Sequence, residues 1–469
     1  VPIKQTINYY SENTYFTGFL QNIINDSQIN ASVTQKNNKI ELLIDTNNEK
    51  KLTKFNENLA KYLPHSLFLG EIETIQSDEK IETSSFKSDD YNIAPCAKCL
   101  EQIQDPSSQN YLDDSLQCTH YSNKGKEIYQ DFTTFSPHYS QNCTVLITNS
   151  EKIDELFILT DDEIKALFSI EKPTIKVTIK DETLKSMTGK NYIFIKAPYN
   201  NRSLLASINA KESNVDYLFF EDTNDLKIIV IQKNKTIIKA SRIAKKLEII
   251  NEDTLLNRFL NIAKEAGFNQ SVIGTNLSNK GISFLVSNEV GVKKVIQFKE
   301  FNLVNILEQF KSDSKRIKLL ENFSKKYPLI SHEFEKNSNM NLFETIATIL
   351  ELKERNFQAV CDKGYEFRGN GGLKIDTNFD ENGFDYSDFI GSIISFKLAG
   401  VEEHYLAYSI FEALADMSIS TLNQLKEKFK IQNFVMMGDM FENSVLYSRV
   451  LSKFQLSNPY FSKDIALDE

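Results

Sequence analysis

Three cysteines stand at spacings that could serve one ion. Cys96 and Cys99 form a Cys-x-x-Cys pair on an expected turn, from which two thiolates can reach one tetrahedral metal. Cys118 follows after 18 intervening residues. A complete ribbon needs another Cys at position 121, which holds Tyr121, so His120 or Cys143 is left to close the set. Such a set either holds zinc or is what remains of a site that no longer binds metal. A second candidate is the loop Gly369-Asn370-Gly371-Gly372, followed by Lys374, Asp376 and Asp380. Its composition suits a ligand-contacting loop or, more simply, a turn between helices. His332 and His404 stand singly and read as surface or helix-end residues.

The elements around these residues follow from periodicity. Near the start, Phe16 to Ile24 reads as a helix, Ile40 to Ile44 as a strand, and Leu52 to Leu63 as a helix closed by Pro64. Residues 76–90 turn to Ser, Asp, Glu, Lys and Thr, the composition of a solvated linker. The stretch from Pro95 to Cys143 is poor in aliphatic residues, so something besides a hydrophobic core must staple it. Further on, Ile175 to Ile179 and Lys227 to Ile231 read as strands. Leu342, Ile346, Ile349 and Leu350 recur at helical spacing, as do Leu406, Ala407, Ile410, Phe411 and Leu414. Asn433 to Met437 reads as a short buried strand running into Gly438, and Ser444 to Phe454 as the next helix. No internal repeat of fixed period is present.

Composition sets outer bounds. A chain of 469 residues implies two to four domains, and 41% apolar with 25% charged residues permits a buried core. The formal charge of −10 argues against nucleic acid or an anionic membrane as the main partner. No run reaches the ~20 apolar residues of a bilayer span, and Val1-Pro2-Ile3-Lys4 lacks a signal-peptide core, so a cytoplasmic protein is expected. Five cysteines without an export signal read as reduced thiols or metal ligands.

Pro95-Cys96-Ala97-Lys98-Cys99-Leu100-Glu101, with Asp105-Pro106, Tyr111 and Cys118-Thr119, resembles the first zinc finger of HypF, the carbamoyltransferase of nickel-iron hydrogenase maturation. Leu342-Phe343-Glu344-Thr345-Ile346-Ala347 resembles that family's Leu-Phe-Asp-Ala-Val-Ala helix. Met437-Gly438-Asp439-Met440-Phe441-Glu442-Asn443 stands where the family has Ser-Gly-Gly-Val-Phe-Gln-Asn. The resemblance implies an α/β multi-domain chain in four parts. These are a degenerate acylphosphatase-like, ferredoxin-type domain over 1–75, a linker and zinc-finger region over 76–150, a truncated YrdC-like segment over 151–250, and an ATPase-superfold, actin-like carbamoyltransferase-like domain over 251–469.

The departures carry as much as the matches. Gly18-Phe19 resembles the acylphosphatase phosphate-loop signature, yet the catalytic Arg position holds Leu20 and the family's Asn falls on Gln35. Acyl-phosphate hydrolysis needs a guanidinium on the phosphoryl group and an amide to position water. In the family the glycine loop approaches a nucleotide phosphate through its backbone; here Asp439 follows Gly438 and repels an anion. Gly438, Asp439, Glu442, Asn443 and Asp464 are the candidate cleft residues, with ATP and magnesium doubtful as cofactors and zinc implied at Cys96, Cys99 and Cys118. The second finger is reduced to His138 and Cys143, and the middle segment has no evident cluster of Lys and Arg. As the resemblance implies, HypF passes a carbamoyl group from carbamoyl phosphate, through a carbamoyl-adenylate, to a Cys on a partner. Two functions follow. One is a largely non-catalytic accessory protein, as HydE-type hydrogenase accessory proteins are, partnering HypE-like maturation proteins or a hydrogenase subunit. The other is an active carbamoyl or acyl transferase using the C-terminal cleft.

Overall fold

The structure is a computed structural model that describes residues 2–36, 38–79, 81, 96–116, 133–222, 226–240, 245–380, 383–454 and 459–468. The chain divides into two compact units, residues 1–245 with 463–466 and residues 246–462 with 467–469.

Unit 1 opens with β1 (Ile3–Tyr9), a helix over Tyr15–Ser27, β2 (Ala31–Lys36), β3 (Lys39–Ile44), a helix over Glu49–Tyr62 and β4 (Leu69–Gln76). The four strands pair antiparallel in the order β2-β3-β1-β4, the split βαβ arrangement of ferredoxin-like domains. Phe16, Phe19, Leu20, Ile23 and Ile24 lie at helical spacing and are buried in one cluster with Ile7, Val33, Ile40 and Leu42 from the sheet. The helix expected from Leu52 begins at Glu49, because the Asn48 side chain accepts the Lys51 N–H at 3.1 Å and so fixes its first turn.

A second sheet follows from β5 (Thr144–Ile147), β6 (Phe157–Ile158), β7 (Ile175–Ile179), β8 (Tyr192–Lys196) and β9 (Tyr217–Phe220), ordered β6-β7-β8-β5-β9 with β5 and β8 parallel. The hairpin β10 (Leu226–Ile231) and β11 (Asn234–Ala240) completes the unit's strands. Burial alternates along β7, with Ile175, Val177 and Ile179 inside and Lys176 and Thr178 half-buried.

The two sheets of unit 1 are tied by a buried carboxylate. Glu171 accepts from the Tyr15 hydroxyl and the Ser66 hydroxyl, both at 2.5 Å, and from the Leu67 N–H at 2.9 Å. Beside it, the Ile170 N–H donates to the His65 carbonyl at 2.9 Å. Burial drives the Tyr9 and Tyr15 phenols well above their usual range, and the Glu171 charge adds to the shift. The tail joins this unit as well: the Lys245 N–H donates to the Asp464 carbonyl at 3.0 Å, and Lys463 Nζ stands 3.9 Å from the Tyr10 ring centre.

Unit 2 is built on β12 (Val272–Ser278), β13 (Gly281–Asn288), β14 (Gly291–Gln297), β17 (Asn433–Met437) and β18 (Tyr460–Phe461), ordered β14-β13-β12-β17-β18. A two-residue pairing of β15 (Phe379–Asp380) and β16 (Gly383–Phe384) lies between them in sequence. β12, β13 and β14 form an antiparallel meander, whereas β12, β17 and β18 run parallel. The described residues of this unit supply one large sheet, and the remainder is mainly helical. The helix Leu342–Ile349 starts on a reciprocal cap, Asn341 Oδ1 accepting the Glu344 N–H at 3.0 Å and Glu344 Oε2 accepting the Asn341 N–H at 2.8 Å. Leu406, Ala407, Ile410, Phe411 and Leu414 form the buried stripe of the 27-residue helix Glu403–Phe429. Among the described residues no helix is long and apolar enough to cross a membrane.

Two outcomes follow for unit 1. Glu171→Ala leaves the Tyr15 hydroxyl and the Leu67 N–H buried without their acceptor, and should cost on the order of 3 kcal/mol in urea unfolding followed by circular dichroism; an unchanged midpoint would show that the carboxylate does not tie the sheets. His65 is held neutral down to about 4 by burial first and by the Lys235 and Lys165 charges next. An unfolded imidazole takes its proton near 6.5, so the folded state should lose stability as pH falls from about 6.5 to about 4. The Tm of His65→Gln should therefore fall less steeply than that of the parent across this window.

Candidate functional site

The acylphosphatase-like loop lies between β1 and the helix Tyr15–Ser27. Leu20, at the position of the expected guanidinium, is 1% exposed and belongs to the core. Gln35, on β2, turns its amide onto the loop. Its Nε2 donates to the Ser11 carbonyl at 3.1 Å and the Asn13 carbonyl at 3.0 Å, while its Oε1 accepts from the Thr17 hydroxyl at 2.6 Å. Both amide hydrogens are thereby committed to the backbone.

The thiol pair sits at the start of the helix Ala97–Gln104, with Cys96 as its N-cap. Cys96 Sγ lies 3.5 Å from Cys99 Sγ and accepts the Cys99 N–H at 3.4 Å. Ile103 is fully buried, Lys98 pairs with Asp26, and Lys61 pairs with Glu101 at 2.8 Å. These contacts give the finger helix an anchor that needs no metal. Cys143 is buried and lies 2.6 Å from the Ser140 hydroxyl. Among the described residues no three His, Cys, Asp or Glu side chains group as metal ligands. Cys118 and His120 lie outside the described residues.

Gly438, Asp439, Glu442 and Asn443 come together where β17 ends. Ligands of open α/β sheets collect at the carboxyl ends of parallel strands, so the position is apt. The contacts themselves are internal. Gly438 has φ +103°, and a Cβ there would fall 2.2 Å from the Leu277 carbonyl oxygen, so the close backbone approach is made by β12 of the same sheet. Asp439 Oδ1 accepts the Asn279 N–H at 2.7 Å on the turn between β12 and β13. Glu442 accepts from Gln358 Nε2 at 2.7 Å, and Asn443, fully buried, caps the helix Ser444–Lys453 by accepting the Leu446 N–H at 3.0 Å. Lys280, its side chain 71% exposed, stands 3.9 Å from Asp468 on the same turn. Asp464 lies in the segment 463–466, which belongs to unit 1.

The glycine loop before β15 is docked as a turn: Gly372 N–H donates to Glu412 at 2.5 Å and Leu373 N–H to the Ser409 hydroxyl at 2.9 Å. Glu412 in turn meets Arg449 at 2.8 Å, and Arg449 grips Asp416 with two bonds of 2.9 Å.

The expected absence of a basic cluster in the middle segment is corrected by the structure. Lys176 and Lys227 place their ammonium groups 5.2 and 4.2 Å from the Phe194 ring centre, and Lys196 is 4.5 Å from that of Tyr199. Lys196 is deeply buried and pairs with Asp222 at 3.2 Å, an acid that also accepts from Thr174. These lysines lie on different strands and so form no run in sequence. The available signal was alternation, since Lys176 pairs directly with Phe194 and Lys196 is two residues further along the same strand.

No family profile matches the chain. A curated relative, Protein HydE of Wolinella succinogenes, is 22% identical over 336 residues, covering 63% of this chain; the chain spans 61% of that relative's length. Full-length HypF in its phosphate- and nucleotide-bound form aligns over 100% of this chain and 96% of its own, with TM-score 0.60 and 13% identity. HypF from T. kodakarensis covers the same shares with TM-score 0.62 and 13% identity. The chain has the HypF fold. Within the HypF fold, then, these residues occupy a framework kept at low sequence identity; Gln35, Asp439 and Glu442 take partners from the chain itself, whereas Asn443 Nδ2 is buried with no hydrogen-bond partner among the described residues.

Gly438→Ala places a Cβ inside the Leu277 backbone at a dihedral that side chains avoid, and should cost on the order of 3 kcal/mol or more. A stable Gly438→Ala chain, measured by thermal unfolding, would mean that the glycine is not needed by the sheet.

Proposed function

We propose that this chain serves nickel-iron hydrogenase maturation as an accessory protein of HypF type that keeps the fold and has given up acyl-phosphate and nucleotide chemistry. Gln35 carries the reading. An amide that must position attacking water needs a free N–H, and both of its hydrogens go to the Ser11 and Asn13 carbonyls. Leu20 in the core and the Asp439 carboxylate on the Asn279 N–H support it, because each fills a place where an anion would need a cation or a main-chain donor. The partner is a HypE-like maturation protein or a hydrogenase subunit, and the setting is the cytoplasm.

Zinc fits the thiol pair in part. Two thiolates on one tetrahedral zinc, at about 2.3 Å each, stand roughly 3.8 Å apart, close to the 3.5 Å between Cys96 and Cys99. Cys118 with His120 or Cys143 would complete the set, and the ion would brace the finger. ATP fits poorly beside Asp439 unless a metal ion or a lysine such as Lys280 offsets its charge.

A second reading, an active carbamoyl or acyl transferase, is favoured by the phosphate- and nucleotide-bound state of the HypF neighbour and by the exposed Lys280 ammonium. Isothermal titration of the full chain with magnesium-ATP and, separately, carbamoyl phosphate distinguishes the two. No heat of binding in the micromolar range is expected for either ligand. Micromolar binding of one of them would overturn the accessory reading in favour of the transferase.

A further inference from the structure

We propose that the outer face of the helix Ser314–Lys326 docks a short acidic segment of a partner protein. Lys315, Lys318 and Lys325, spaced by three and then seven residues, fall on one side of this helix and are exposed. The opposite side is committed to the fold. Phe323 is buried and stacks on Phe334, and Arg316 reaches Asp388 at 2.5 Å and Asp385 at 3.5 Å. Among the described residues the three outer lysines make no ion pair, although Glu321 stands within about one helical turn of both Lys318 and Lys325. Leu329, 82% exposed, follows four residues past Lys325.

The charge here runs against that of the molecule. From Lys311 to Lys336 the sequence holds seven Lys and Arg against four Asp and Glu, a balance of +3 in a chain of −10, so the other residues carry −13. The acids nearest the row in sequence are Asp313, whose carboxylate caps the helix, and Glu321. From Lys315 to Lys325 the row is about 15 Å long at ~1.5 Å per residue. A ligand of that length meets ammonium groups along its whole extent. A nucleic acid or an anionic bilayer reaches past the screening length of roughly 10 Å and meets the acidic remainder. An acidic protein segment fits this limit, and an apolar side chain at its end covers Leu329. The partner is thus a chain with Asp or Glu at helical spacing followed by an apolar residue. This surface lies within unit 2 and needs neither ATP nor carbamoyl phosphate, so titration with those ligands has no bearing on it.

The probe is a fluorescein-labelled, Ala-based helical peptide with Glu at the spacing of Lys315, Lys318 and Lys325 and Leu at that of Leu329. It is titrated with the full-length chain at about 50 and about 300 mM NaCl and followed by anisotropy. Binding is expected at the lower salt and should weaken at the higher. Combining Lys315→Glu, Lys318→Glu and Lys325→Glu should weaken it about tenfold. The same three positions changed to Gln remove charge without adding any and should shift binding in the same direction, so a folding defect in the Glu variant leaves the outcome readable. Lys50→Glu, Lys51→Glu and Lys54→Glu together, at exposed positions of the helix Glu49–Tyr62, change the net charge equally and should bind as the parent does. No binding by the parent, an equal loss in this control, or salt-dependent self-association of the parent in sedimentation would each overturn the proposal. So would binding of a short DNA duplex or of phosphatidylserine vesicles that matches the peptide in strength and depends on the same three lysines.

Discussion

The buried Glu171 carboxylate is the contact on which unit 1 depends. A charge of that kind is tolerated inside a protein only when donors surround it, and here they come from the Tyr15 hydroxyl, the Ser66 hydroxyl and the Leu67 N–H. The donors belong to the first sheet's helix and loop, whereas Glu171 precedes the strand Ile175–Ile179 of the second sheet. Neither sheet can therefore drift without exposing an unpaired charge. A rigid seam at this point also fixes the loop after β1, because Tyr15 begins the helix that closes it.

That rigidity meets a recurring substitution of partners. Three polar side chains take main-chain partners from within the chain. Gln35 takes loop carbonyls, Asp439 takes a turn N–H, and Glu412 takes the Gly372 N–H. A buried donor left unmade costs about 1–3 kcal/mol, so each internal partner stabilises the empty form of the fold. Gly438 makes room for Leu277 of its own sheet.

Local order was legible to the extent that it is set by near neighbours. The helices Leu342–Ile349 and Glu403–Phe429 and the strand Asn433–Met437 follow from periodic burial within a single element, and their stripes lie where spacing puts them. The likeness to HypF also rested on short local runs, and the fold agrees with it. The site was less legible because its contacts are distant in sequence. Gln35 reaches carbonyls more than twenty residues away, Asp439 answers to Asn279, and the lysines around Phe194 are gathered from separate strands. In the cysteine stretch, the finger helix is held by buried Ile103 and by two ion pairs, Lys98–Asp26 and Lys61–Glu101, whose partners are distant in sequence or on another helix.

The tail has a consequence for biosynthesis. Residues 463–466 belong to unit 1, although the rest of that unit ends at Lys245. On the ribosome, the nascent amino-terminal body must wait for about two hundred further residues before its last segment is made, roughly 10–40 s at ordinary elongation rates. Until then Tyr10 and the backbone at Lys245 lack the partners that Lys463 and Asp464 bring. Translation thus delivers the closing piece of unit 1 some two hundred residues after the rest of it, and a chaperone has that interval in which to act.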